Sequence, residues 1–192
     1  MASKLISIDF DNILSSTTSS FLTYFAQKKW KEILLEEMRK PYLFEYKEYF
    51  GFEQKEFLPF YNQFLEEHTI QPVAWSIKWV HVLKELWCSL VILSWRNKRY
   101  QELTELWLET YFDSIFDDVI LTSELAWWPS KWEVCEKIGA ETHIDDFYHY
   151  ATTIAEKNIK TLLFSYPRNQ EYTWNNEHII KISGREQVPE HI

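Results

Sequence analysis

The amino-acid sequence predicts an α/β fold in which helices cover both faces of a parallel sheet, with a small helical cap inserted after the first strand. Two observations predict the sheet and a third predicts the cap. Short β-branched or aliphatic runs recur at Leu5–Ile8, Leu90–Ser94, Val119–Leu121, His143–Asp145, Thr161–Phe164 and His178–Ile182. From Leu90 onward, segments of helical periodicity separate them, and strands alternating with helices in this way specify a parallel sheet. Roughly 75 residues lie between the first run and the second, where a crossover needs about 30, so the extra chain must build something of its own.

The elements follow in order. Leu5–Ile8 reads as a buried strand that ends abruptly in Asp9-Phe10-Asp11-Asn12. Ser15–Ser20 is a polar loop or helix N-cap, after which Phe21, Leu22, Tyr24, Phe25, Trp30, Ile33, Leu34 and Met38 recur at helical spacing, with an expected end before Pro41. Tyr42 to His68 is dense in aromatics and acids and is punctuated by Gly51, Pro59 and Pro72, which predicts short, mutually packed helices. Val73–Trp87 forms a clearer helix with Trp75, Trp79, Val82, Leu83, Leu86 and Trp87 on one face. Beyond the second strand, helices are expected over about Lys98–Phe112, Ser130–Ile138 and Tyr148–Lys157. No internal repeat of fixed period is visible. The predicted organisation is a Rossmann-like three-layer core over residues 1–13 and 72–192, with a helical cap over 14–71.

Composition excludes several classes. At 192 residues and 46% hydrophobic content the chain can bury one ordinary core with a modest insertion. Lys+Arg 20 against Asp+Glu 29 gives a net charge of -9, which repels phosphate backbones and argues against nonspecific nucleic-acid binding. Three glycines, Gly51, Gly139 and Gly184, cannot assemble a Walker A loop or a G-x-G-x-x-G turn, so phosphate must be held by another device. Cys88 and Cys135 lack metal-knuckle or disulfide-framework spacing. The N-terminus becomes acidic too soon for a signal segment and no run is long enough for a membrane span, so a cytoplasmic location without membrane contact is expected.

Polar residues stand at the carboxyl ends of three strand candidates: Asp9 and Asp11 after the first, Ser94 closing the second, and Asp145-Asp146 closing the fourth. In open α/β sheets ligands bind at these ends, and a cap leaving the first strand would cover that place. Delivering unpaired carboxylates into a crevice costs several kcal/mol unless a cation compensates. Oxygen-only ligation points to Mg²⁺. Asp117-Asp118 serves as an internal control, because it precedes a strand and reads as a solvated turn or helix cap.

With Ile6-Ser7-Ile8-Asp9-Phe10-Asp11, Leu90-Val91-Ile92-Leu93-Ser94, Lys131 opening a later helix, and Ile144-Asp145-Asp146 in this order, the chain resembles the haloacid dehalogenase superfamily of phosphohydrolases. Ile13 stands where that family usually has Thr or Val. The likeness extends to small 5'-nucleotidases of the deoxyribonucleotidase type in the stretch from Lys131 to Asp146 and at Tyr166-Pro167-Arg168-Asn169. The resemblance implies a two-step phosphoryl transfer. Asp9 would be the nucleophile and Asp11 the acid and base, Ser94 would donate to a phosphoryl oxygen, and Lys131 would neutralise charge. Mg²⁺ would be held by Asp9, the Asp11 backbone carbonyl and Asp145, with Asp146 acting through water or from outside. Lys137 competes for the lysine role but lies two turns farther along its helix.

The implied substrate is a small phosphorylated compound, in the first place a nucleoside 5'-monophosphate; a sugar phosphate or other small metabolite is the alternative. A noncatalytic binding protein of the same fold is a further rival. A signalling receiver domain is disfavoured, since it places its acid pair early and carries no cap. A monomer or homodimer is expected. All six histidines read as structural or surface residues, and Trp75, Trp79, Trp87 and Trp107 read as core. Phe21, Tyr24, Tyr46, Tyr49, Trp127 and Trp128 are left available to line a pocket or a dimer contact.

Overall fold

A computed structural model describes residues 3–38, 50–67, 69–123, 130–170, 172–173 and 175–192. The described residues form a six-stranded, all-parallel sheet: β1 (Leu5–Ile8), β2 (Ser89–Asn97), β3 (Asp118–Ser123), β4 (Thr142–Asp145), β5 (Lys160–Phe164) and β6 (Ile179–Ile182), in the order β3-β2-β1-β4-β5-β6. The helices are α1 (Thr17–Lys29), α2 (Gln54–Glu67), α3 (Ser76–Glu85), α4 (Gln101–Phe112), α5 (Lys131–Ile138) and α6 (Tyr148–Ala155). The α/β fold, with its parallel sheet between helical layers, is as the sequence predicts. The chain winds outward from β1 through β2 to β3, then returns to the other side of β1 with β4. The switch point therefore lies between β1 and β4, where such sheets offer their binding crevice.

Period-two alternation decides what each strand residue faces. Ile6, Ile8 and Phe10 join Leu90, Ile92 and Ile144 in a cluster with Trp79, Val80 and Leu83 of α3 and Leu108 and Phe112 of α4. Between them, Ser7 points the other way and meets Cys135 of α5. That second face is closed by Val134 and Cys135 of α5 and Ile154 of α6, packed with Leu93 and Ile159. Asp9, two residues after Ser7, leaves the sheet toward α5.

The residues between β1 and α3 build their own apolar cluster from Phe21, Phe25, Phe50, Phe57, Phe64 and their neighbours. Six ring centroids lie 5.3–6.4 Å from that of Phe21, so Phe21 is the hub of the cluster. Phe21 and Tyr24 are thus buried core residues rather than a pocket lining. Pro41 and the residues Tyr46, Tyr49, Trp127 and Trp128 lie outside the described residues.

Several expectations are corrected. The first helix ends at Lys29, where Trp30 turns left-handed (φ 55) and caps the Ala26 carbonyl, and Trp30 is left 93% exposed. The turn lets Ile33 and Met38 fold back into the aromatic cluster instead of continuing the helix. Pro59 lies inside α2 rather than between helices. Its lost backbone donor is offset by burial of Phe57, Phe64 and Leu65. Trp79 of α3 is core, but Trp75 and Trp87 are 59% and 84% exposed, because both flank the helix in left-handed conformations that turn them off its buried face. Leu86, at the C-cap of α3, is also exposed. β2 does not close at Ser94 but runs on to Asn97, with a register irregularity against β3 between those two residues.

Candidate active site

Asp9 follows β1, which lies between β2 and β4, and its backbone N–H donates to the Ile144 carbonyl at 2.8 Å, which fixes the strand end against β4. The chain then folds tightly. The N–H groups of Leu14 and Ser15 both donate to the Phe10 carbonyl, and Asn12 takes the left-handed conformation (φ 64) that asparagine tolerates well. Asn12 ties three segments together: its Nδ2 donates to Asp146 Oδ2 at 3.2 Å, and its Oδ1 accepts from the Thr18 N–H at 3.0 Å and from the Tyr166 hydroxyl at 3.3 Å.

Lys131 enters from the first turn of α5. The start of that helix is fixed by Glu133, whose Oε2 accepts from the Ser130 N–H at 2.6 Å and from the Ser130 hydroxyl at 2.9 Å. Its end is set by Gly139, whose φ of +73 is a left-handed closure that a side chain would strain. A cation in a first helical turn opposes the helix dipole. Lys131 is nevertheless fully buried, because its Nζ donates to Asp9 Oδ1 at 2.8 Å and to Asp145 Oδ2 at 2.7 Å.

The acid pair closing β4 is divided between different partners. Asp145 accepts at Oδ2 from Lys131 and from His143 Nε2 (3.0 Å), and at Oδ1 from the Phe147 N–H (2.7 Å). Asp146 accepts from Asn12 and is paired with Arg168. Asp11 turns away from this group: Arg96 donates to it from Nε at 3.0 Å and from Nη2 at 2.8 Å, and Thr17 donates through its hydroxyl. The Arg96 guanidinium also lies 4.3 Å from the centroid of the Phe10 ring.

These partners set the protonation states. Burial pushes the Asp9 carboxyl up to about 7; Lys131 works against that rise, and Asp145, Asp146 and Asp11 add to it. Burial also opposes charge on Asp145, but Lys131 and His143 hold its carboxyl well below the usual range. Partial burial opposes charge on Asp11 too, yet Arg96 and Thr17 hold its carboxyl below the usual range. Burial raises Asp146, with Arg168 pulling the other way. Desolvation disfavours an imidazolium at His143, but Cys135 and Asp145 together push it up to about 9.

The carboxylates of Asp9, Asp145 and Asp146 each offer an oxygen within 4.8 Å of the others, and all three residues are buried. Four acids, Asp9, Asp11, Asp145 and Asp146, face three permanent cations, Lys131, Arg96 and Arg168. The hard oxygen donors and the raised Asp9 carboxyl both mark a place that a small divalent cation would complete, so the donor set fits Mg²⁺. Ser94 adds a hydroxyl that is buried without a hydrogen-bond partner among the described residues, while its backbone carbonyl accepts from Thr122. An orphaned buried hydroxyl costs about 1–3 kcal/mol, a cost that a ligand oxygen would relieve.

The structure thus brings Asp9, Lys131, Asp145 and Asp146 together, and it places Asp11 beside them in an ion pair with Arg96. Sequence reasoning missed Arg96, Arg168 and His143. The signal was available: Arg96 stands two residues after Ser94, and His143 two before Asp145, so each shares a strand face with a site residue. His143 is a buried partner of Asp145 rather than a bystander. Asp117 stands apart from these residues, pairing at the surface with Lys84.

No protein-family model matches the chain, and no curated protein matches it in sequence. Solved structures share its fold along nearly the whole length. A "predicted phosphatase" from Clostridium acetobutylicum is 15% identical with a TM-score of 0.67, over 99% of this chain and 100% of that one. A haloacid dehalogenase-like hydrolase from Streptococcus pneumoniae is 13% identical with a TM-score of 0.66, over 98% of each chain. A "predicted phosphoglycolate phosphatase" from Haemophilus somnus is 12% identical with a TM-score of 0.62, over 98% of this chain and 97% of that one. The fold is therefore that of haloacid dehalogenase-like phosphatases. Among the described residues, no helix is long and apolar enough to cross a membrane.

Proposed function

We propose that this chain is a Mg²⁺-dependent phosphomonoester hydrolase that carries the phosphoryl group on Asp9, with residues 14–71 acting as a cap over the site. The observation that carries this reading is the convergence of Asp9, Asp145 and Asp146 beside the buried ammonium of Lys131 at the sheet's switch point. Asp9, the Asp11 backbone carbonyl and Asp145 would hold Mg²⁺, with Asp146 acting through water or from outside, and the ion would supply Lewis-acid polarisation of the phosphoryl oxygens.

The protein's own groups do the rest. A carboxylate oxygen of Asp9 attacks phosphorus, the ester P–O bond breaks, and an acyl phosphate forms. Lys131 offsets the charge gathered on Asp9 and the phosphoryl group, and the Ser94 hydroxyl donates to a phosphoryl oxygen. Asp11 gives its proton to the departing alkoxide, then takes one from the water that attacks the acyl phosphate, which frees phosphate and restores Asp9. Held by Arg96 and Thr17, Asp11 stands in the ionised state suited to the second half of the cycle. Donation in the first half requires the guanidinium to release it.

The substrate we favour is a small sugar phosphate or organic-acid phosphate. The phosphoglycolate phosphatase named among the similar structures supports this choice. A nucleoside 5'-monophosphate is the competing substrate, from the likeness of Lys131–Asp146 to small nucleotidases. The test is phosphate release in Mg²⁺ across nucleoside monophosphates, sugar phosphates, phosphorylated hydroxy acids and an aryl phosphate. Release from none of them overturns the enzymatic reading and leaves a noncatalytic binding protein.

A further inference from the structure

Beneath the acid cluster runs a ring of buried polar groups in which the proposed chemistry uses Asp145 and Lys131 but not His143, Ser7 or Cys135. His143 Nε2 lies 3.0 Å from Asp145 Oδ2, and its Nδ1 lies 2.8 Å from Ser7 Oγ. Ser7 Oγ is in turn 3.4 Å from Cys135 Sγ and 3.5 Å from the Thr142 carbonyl. Cys135 stands one helical turn after Lys131 on α5, and Lys131 Nζ donates to the same Asp145 oxygen that His143 holds, which completes the ring. All five side chains, from β1, β4 and α5, are buried.

Such a ring needs a reason. It sits among Val134, Leu93 and Ile154, and apolar side chains could fill the same space with no polar group to satisfy. Its geometry supplies the reason, because His143 Nε2 and Lys131 Nζ converge on one oxygen of one carboxylate, and Ser7 holds the imidazole from behind. Lys131 could hold Asp145 alone only loosely, since an ammonium on a four-carbon stem swings about its target. An imidazole clamped from behind by Ser7 cannot. With His143 and Lys131 on Oδ2 and the Phe147 N–H on Oδ1, the Asp145 carboxylate has one orientation, and its remaining lone pairs are left for a cation shared with Asp9 and Asp146.

We infer that His143 is a positioning residue: acting through Asp145, and itself held by Ser7, it presets the carboxylate for a divalent cation. The inference rests on the Mg²⁺-dependent reading above, and the following experiment separates the two. Mg²⁺ binding to chelator-stripped protein is measured by titration calorimetry for wild type, His143→Leu, His143→Gln and Ser7→Ala, with far-UV circular dichroism confirming that each is folded. Gln can carry an amide donor close to the place of Nε2, whereas Leu fills the space without one. His143→Leu is expected to weaken Mg²⁺ binding by about 10–100-fold, Ser7→Ala by less, and His143→Gln is expected to restore much of the loss. In phosphate release, the Leu variant should need more Mg²⁺ for half-activation and recover most of its kcat at saturation.

Mg²⁺ binding by folded His143→Leu as tight as by wild type overturns the inference. So does a Gln variant as weak as the Leu variant, which would make the ring mere packing. Should the Leu variant fail to fold, the Ser7→Ala and Gln pair carries the same test. Wild type that binds no Mg²⁺ at all removes the metal-dependent reading itself, and the inference falls with it.

Discussion

The ammonium of Lys131 stands 2.8 Å from Oδ1 of Asp9, although 122 residues separate the two in sequence, and water reaches almost none of either group. This pair is what lets a carboxylate survive at the carboxyl end of β1. Replacing Lys131 by Met keeps the unbranched stem and removes the charge. Phosphate release should fall on the order of 100-fold or more, the usual loss when a preorganised donor to developing charge is deleted. Steady-state kinetics on the best substrate of the panel, at matched circular dichroism, measures it. Activity near that of wild type would show that Lys131 only fills space.

Removing Mg²⁺ should lower stability as well as activity, because Asp9, Asp145 and Asp146 are then left to repel one another. A cation present at about 100 times its dissociation constant adds about 2.7 kcal/mol, which in a domain of this size raises the melting temperature by roughly 5–10 °C. Differential scanning calorimetry with Mg²⁺ and with excess chelator reads the shift directly. A melting temperature indifferent to both would empty the acid cluster of its assigned ion.

Asp117 should matter to stability and not to turnover. It accepts from the Leu90 N–H at 2.7 Å and pairs with Lys84, joining the start of β2 to α3. Burial raises its carboxyl somewhat, but Lys84 and the Leu90 N–H more than offset this and leave it below its ordinary value of 3.8. A carboxyl depressed in the folded state stabilises above its unfolded value and loses that contribution as pH falls through the folded one. Asp117→Ala should therefore cost about 1 kcal/mol at pH 7, a modest figure because the pair is half exposed, and the cost should shrink below pH 3.8. Urea denaturation at the two pH values tests both the size and the sign.

The sheet was legible in the sequence because each strand is a short aliphatic run between helical segments, and Leu5–Ile8, Thr161–Phe164 and Ile179–Ile182 needed nothing else. Asp9, Asp11, Lys131 and Asp145 were legible by position, as polar groups at strand ends or at a helix start. The partners were not. Nothing local singles out Arg96, and His143 reads like the other histidines as a structural or surface residue, since the pairing that gives each its role is made in the folded chain. The exposed tryptophans misled for another reason. Trp75 and Trp87 fit the helical period of α3 but sit where the backbone turns left-handed, and no hydrophobic pattern records that turn.

The central claim is that Asp9 is the group that attacks phosphorus, and Asp9→Asn tests it most directly. The substitution keeps the shape and removes the nucleophilic charge. Phosphate release by this variant in saturating Mg²⁺, on the substrate the wild type hydrolyses best, is predicted to vanish while the melting curve shows a folded protein. Release at a rate near that of wild type would contradict the account.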